Sequence, residues 1–126
     1  MIDIEHNRAL CEAAVTLARA GEAASIVALT RGGKTARVLS AFRPNVPVFA
    51  VCPNESVARR LAIYRGVVPL TIELGTDIAE TESLVERHLV SRGILTPGAV
   101  IVFVSVNADL TRPDANFLRI RRLGVD

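Results

Sequence analysis

Six consecutive residues, Thr30-Arg31-Gly32-Gly33-Lys34-Thr35, set two hydroxyls, two cations and two glycines between an apolar run and a helical stretch. That order suits an anion. A Gly-rich turn leaving a buried strand exposes backbone N–H groups at the start of the next helix, where the helix dipole and Lys34 both favour a phosphate. The glycine-to-glycine-lysine spacing of Walker A is missing, so nucleotide hydrolysis is not expected. The competing account is a solvated strand-to-helix turn that takes up phosphate or sulfate only adventitiously. Arg112, in the polar loop before the last strand, is the further candidate for this anion site; the plainer reading leaves it solvated.

Cys52 is a second candidate. It falls at the end of an apolar run and just before a helix start, an environment that lowers a thiol pKa. It also falls at the edge where ligands gather in open α/β sheets. Used as a nucleophile there, it would make the chain a small enzyme. With no histidine near it in sequence, the simpler expectation is a small apolar side chain packed under a loop. His88 reads as a hydrogen-bonded boundary residue on an apolar helical stripe, and His6 as an exposed residue near a helix start. Two cysteines and two histidines scattered in this way match no metal-ligand spacing, and no cofactor is expected. Arg119, Arg121 and Arg122 form a basic cluster, read as protection of an exposed sheet edge rather than contact with nucleic acid or an acidic partner.

The elements that hold these residues follow from periodicity. From Asn7 to Ala20, Leu10, Ala13, Ala14, Leu17 and Ala18 make a helical stripe, and Gly21 ends it. Ser25 to Leu29 is apolar throughout, as a strand covered on both faces must be. Thr35 to Phe42 is a short helix stopped at Arg43-Pro44. Val48 to Val51 is a second strand. Asn54 caps a third helix bearing Val57, Ala58, Leu61, Ala62 and Tyr64, which ends near Gly66. Val67 to Ile72 is a third strand. Asp77-Ile78-Ala79-Glu80 has capping-box spacing and opens a helix whose inward face carries Leu84, Val85, His88 and Leu89 before Gly93. Thr96-Pro97-Gly98 is a turn.

Ala99 to Val106 is the most apolar run and reads as a central strand. In Asn116 to Leu123, Phe117, Arg119 and Arg121 alternate with Leu118, Ile120 and Leu123 in a half-exposed strand. Too few residues separate these last two strands for a crossover helix, so they pair antiparallel. The expectation is one continuous α/β domain over 1–126: a three-layer α/β/α sandwich on a mostly parallel five-stranded sheet with an antiparallel edge strand.

Composition agrees. The 126 residues are 50% hydrophobic but only 4% aromatic, which is enough for one aliphatic core. A net charge of +2 lacks the concentrated positive field of a nucleic-acid binder. The apolar runs are too short for a membrane span, the N-terminus lacks a signal-peptide core, and two separated cysteines suggest reduced thiols in a cytoplasmic protein.

The residues resemble the C-terminal domain of pyruvate kinase. The resemblance is carried by Ile26-Val27-Ala28-Leu29-Thr30, Gly33-Lys34-Thr35-Ala36-Arg37, Phe42-Arg43-Pro44, Pro47 to Val51, Asn54, Val57-Ala58-Arg59 and Tyr64 to Pro69. It runs roughly from Asn7 to Leu123 and is strongest between Ile26 and Leu70. The resemblance implies an appendage to a TIM barrel that itself holds the metals, phosphoenolpyruvate and nucleotide. Nothing here looks like that barrel's metal-binding carboxylates or its phosphoryl-transfer lysine, so the chain alone is not expected to transfer phosphate. Its starting Met1 suggests a free-standing protein.

In effector-regulated relatives the resemblance implies a phosphorylated sugar, with one phosphate on the loop matching Thr30, Arg31, Gly32, Gly33, Lys34 and Thr35. Gly32 stands where a serine is common, so one hydroxyl is lost. The loop for a second phosphate corresponds to Ser105 to Ala115, holds Arg112-Pro113 and lacks a tryptophan, which departs from the pattern for a bisphosphate. The family also uses this domain at a subunit interface, which implies a homodimer or docking on a separate enzyme subunit.

Overall fold

Parallel strands buried on both faces need unbroken apolar runs, and Ser25–Leu29 and Val48–Cys52 are buried at every residue. In the computed structural model, which describes residues 2–73, 78–106 and 116–124, nine elements follow in order. They are α1 (Ile2–Ala20), β1 (Ser25–Leu29), α2 (Lys34–Ala41), β2 (Val48–Cys52), α3 (Glu55–Leu61), β3 (Val67–Thr71), α4 (Ile78–Ser91), β4 (Val100–Val106) and β5 (Asn116–Arg122). The sheet order is β3-β2-β1-β4-β5. The first four strands run parallel, and β5 pairs antiparallel with β4 from Val100–Arg122 to Val106–Asn116.

The chain steps outward from β1 to β2 and β3, then returns to β4 on the other side of β1. Right-handed crossovers therefore set α2 and α3 on one face and α4 on the other. One core joins α1, α2 and α3 to the sheet through Cys11, Ala14, Leu39, Val57, Leu61 and inward strand residues such as Ile26. The second joins Val85 and Leu89 of α4 to Val27, Phe49, Ile101 and Phe103. The three expected layers are present.

Details depart from the periodicity. The buried column of α1 is Asn7, Cys11, Ala14, Val15 and Ala18, while Ala13 is exposed and Leu10 and Leu17 are half-buried. Three-and-four spacing fits either of two neighbouring columns, and packing over β1 and β4 selects this one. Leu123 follows β5 in a turn and joins the core under α4, apart from Leu118, which packs on the α1 side. Asp77, the first residue of the expected capping box, lies outside the described residues.

β3 is an edge strand, and Pro69 sits in its middle. Val48 N–H donates to Gly66 O and Ile72 N–H to Cys52 O, so even-numbered amides of β3 turn toward β2. Pro69 is odd-numbered, on the outer side, where no donor is needed and foreign strands are discouraged.

Candidate functional site

β1 delivers the loop. Thr30 N–H still donates to Val51 O at 2.9 Å, so the strand pairing extends to the first loop residue. Thr30 Oγ1 then accepts the Gly33 N–H at 2.9 Å and closes a compact turn. Gly33 turns the chain into α2 with φ 93°, a left-handed conformation that suits glycine. A methyl group there would lie 2.8 Å from Leu61 Cδ2, so the loop and α3 meet at this residue.

The first described bond of the helical ladder is Arg37 N–H to Gly33 O at 3.0 Å. The amides of Lys34, Thr35 and Ala36 lie ahead of it, and α2 has neither a side-chain cap nor an acidic residue in its first turn. α3 differs: Asn54 Oδ1 accepts the Val57 N–H at 3.0 Å, and Glu55 occupies its first turn. Arg31, Gly32 and Lys34 are exposed, whereas Thr30 and Thr35 are buried. Among the described residues, neither Arg31 nor Lys34 meets a carboxylate. The loop also sits at the carboxyl end of β1, next to β4, where the strand order reverses and open α/β sheets form a crevice.

The Gly33 N–H is held by Thr30, whose oxygen braces the turn instead of pointing outward, so this amide is not among the open ones at the helix start. What remains is the helix-start amides, the open backbone at Gly32 and the two exposed cations. Arg112 lies outside the described residues.

Cys52 is not poised for nucleophilic chemistry. It is fully buried, its S–H donates to Leu70 O at 3.6 Å, and burial followed by the Glu55 charge pushes its pKa up. A raised pKa removes the thiolate that a nucleophile needs. Cys11 is likewise buried, its pKa pushed up to about 12 by desolvation, and it donates to Asn7 Oδ1 at 3.3 Å. His6 is exposed and His88 half-buried. No cluster of metal-ligating side chains occurs among the described residues.

The basic cluster does more than guard an edge. Glu82 of α4 is fully buried, and its Oε1 accepts Arg119 Nη1 at 2.6 Å and Arg121 Nη1 at 3.1 Å. Arg121 Nε also lies 2.9 Å from Glu86 Oε2. Arg122 instead donates to Gly98 O at 2.9 Å. The one signal for this in the sequence was the shared face of Phe117, Arg119 and Arg121, which is the face that α4 covers.

A strand-to-helix loop of this kind on a β3-β2-β1-β4-β5 sheet defines an α/β sandwich whose distinctive feature is an uncapped helix start at the strand switch. Residues 8–121 match the family described as pyruvate kinase, alpha/beta domain, and the chain belongs to that family. Relatives include the chloroplastic pyruvate kinase isozyme G of Nicotiana tabacum, 35% identical over 100 residues, covering 78% of this chain and 18% of that protein. A cytosolic pyruvate kinase isozyme of Glycine max is 36% identical over 112 residues, covering 74% of this chain and 22% of its own length. The pyruvate kinase of Thermoplasma acidophilum is 34% identical over 99 residues, covering 79% and 18% respectively. The chain thus spans about a fifth of the length of the curated relatives it matches.

Proposed function

We propose that this domain is a regulatory module that binds inorganic phosphate or the phosphate of a phosphorylated metabolite at the Thr30–Thr35 loop, without kinase activity of its own. The observation that carries the reading is the start of α2, where three amides precede the first described ladder bond beside the exposed ammonium of Lys34. A phosphate seated there accepts those N–H groups, interacts favourably with the helix dipole and is neutralised by Lys34 and Arg31. The reading keeps Thr35, in the first turn, and Arg112, which lies outside the described residues, as further candidate contacts. The Gly33 N–H already held by Thr30 and the glycine at position 32 leave the site fewer donors, and the absence of a tryptophan from Ser105 to Ala115 favours a single phosphate group over two. Signalling requires a second site, which this reading assigns to a separate enzyme subunit in the cytoplasm, in line with the cytosolic naming of the Glycine max relative and the free cysteines, although the Nicotiana tabacum isozyme G is named chloroplastic. The reading assigns the domain neither nucleic acid nor a membrane as a partner. No helix of the described residues is long and apolar enough to cross a membrane.

Calorimetric titration with a sugar monophosphate tests it. Saturable heat that disappears in Lys34→Ala supports the site, and no heat at millimolar ligand rejects it.

A second reading is self-association along β5, favoured by its place at the sheet edge and by Ile120, which is 45% exposed. Light scattering across a concentration series decides it, since a mass that stays monomeric removes the homodimer.

A further inference from the structure

The sheet is covered unequally. Among the described residues α1, α2 and α3 pack on one face, and α4 alone covers the other. Toward β5 that second face is closed by Arg119 and Arg121, which reach Glu82 and Glu86 of α4. Toward β3 its cover is thin. Leu70 and Ile72 are only half-buried against the α4 core, and Val68, on the same side by strand alternation, is 41% exposed. Ile63, just past the end of α3, is 82% exposed. The turn that follows it, closed by Val67 N–H to Tyr64 O at 3.2 Å, leads directly into β3. Two of the four large exposed hydrophobic side chains among the described residues therefore lie at one margin of the sheet, beside a half-buried apolar row. A surface of that kind marks a site of interaction.

We propose that the β3 margin, from Ile63 to Ile72, docks the portion of a pyruvate kinase that this chain does not match; the inference rests on the separate enzyme subunit of the reading above, not on its phosphate site. In the pyruvate kinases it resembles, the matching segment is about a fifth of a longer polypeptide, and the least covered face of the domain is the one left to meet the rest. Two features argue against other occupants. Pro69 has no N–H and lies on the outer side of β3, so an incoming strand would lose a ladder bond, and the contact is made by side chains. Arg59, Arg60 and Arg65 are exposed around Ile63, with no acidic residue from Ser56 to Ile72, so a second copy apposed here would set arginines against arginines. Leu61, two residues before Ile63, is also the side chain beside Gly33, which joins the margin to the anion loop through one residue.

The test is a chimera, the Thermoplasma acidophilum pyruvate kinase with this chain in place of its matching segment. The Ile63→Cys variant is exposed to a thiol reagent in the chimera and in the isolated chain, and labelling is read peptide by peptide by mass spectrometry. Cys11 and Cys52 are buried, so they stay unlabelled wherever the domain is folded. Position 63 should label about tenfold more slowly in the chimera, because burial denies the reagent access. Equal rates in the two proteins would overturn the proposal. So would protection of Ile120→Cys in place of Ile63→Cys, which would move the contact to β5. Where labelling of Cys52 shows the chimera to be unfolded, the intact Thermoplasma enzyme decides. Lysine at its position aligned with Ile63 should lower the thermal midpoint, whereas Ile63→Lys leaves that of the isolated chain unchanged; an unaltered enzyme midpoint would overturn the proposal. Phosphate-induced shifts at Lys34 should persist in Ile63→Lys, so docking and phosphate binding fail separately.

Discussion

Glu82 Oε1 accepts a hydrogen bond from Arg119 Nη1 at 2.6 Å, although Glu82 is fully buried and Arg119 is 45% exposed. The contact ties α4 to β5 across 37 positions of sequence. Glu82 Oε2 is buried without a partner, so the carboxylate depends on the two guanidinium groups at Oε1. Removing both arginines strands it in the core.

Arg119→Ala/Arg121→Ala should therefore destabilise the fold by about 3–5 kcal/mol, the usual cost of leaving a buried charge alone. Adding Glu82→Met to that double variant should recover most of the loss, because an apolar group of similar length fits the core under α4. Urea unfolding followed by circular dichroism measures both, and a double variant as stable as the parent would show that the pairing holds nothing.

Glu86 holds its proton above the ordinary carboxylate range. Burial raises its pKa, Arg121 lowers it, Glu82 raises it and the Gly124 amide lowers it, for a net rise. The folded protein then holds this proton more tightly than the unfolded chain, so stability falls as pH rises from the unfolded value through the folded one. Glu86→Gln should be more stable than the parent at neutral pH, with the advantage shrinking toward zero as pH falls through that window. Thermal melts across a pH series check it; an advantage that grows on acidification would contradict the sign.

Gly33 and Gly32 adjoin but should respond differently to alanine. Gly33 has φ 93° and faces Leu61, so Gly33→Ala should cost about 1–2 kcal/mol from backbone conformation alone. Around Gly32 a methyl group meets nothing within 4 Å, and Gly32→Ala should stay within about 0.5 kcal/mol. Denaturant midpoints of the two variants make the comparison, and equal losses would refute it.

Both thiols should be silent in the native state. Cys11 and Cys52 are buried with raised pKa values, so a disulfide exchange reagent should label neither until the chain unfolds. Rapid native labelling of Cys52 would reopen nucleophilic chemistry at the strand end.

The sheet was readable because its signals are local. Ser25–Leu29 and Val48–Cys52 are continuous apolar runs, each closed by Gly or Pro punctuation, and the short gap before Asn116 forced the hairpin. The anion loop was readable for the same reason, as a strand exit, two glycines and a helix start. The inward turn of the Gly33 amide was not, because it depends on which donor the Thr30 hydroxyl oxygen accepts. The burial of Glu82 was equally hidden, since a glutamate on a helix reads as solvated until its distant arginines are placed over it.

The central claim is that the start of α2 holds a phosphate. The most direct measurement is the amide spectrum of the labelled chain titrated with inorganic phosphate at constant ionic strength and pH. The account predicts saturable shifts of Gly32, Lys34, Thr35 and Ala36 at millimolar phosphate that Lys34→Ala weakens, with the Gly33 amide protected by Thr30. Unmoved amides at α2 across that range, or shifts that a matched chloride titration reproduces, would contradict it.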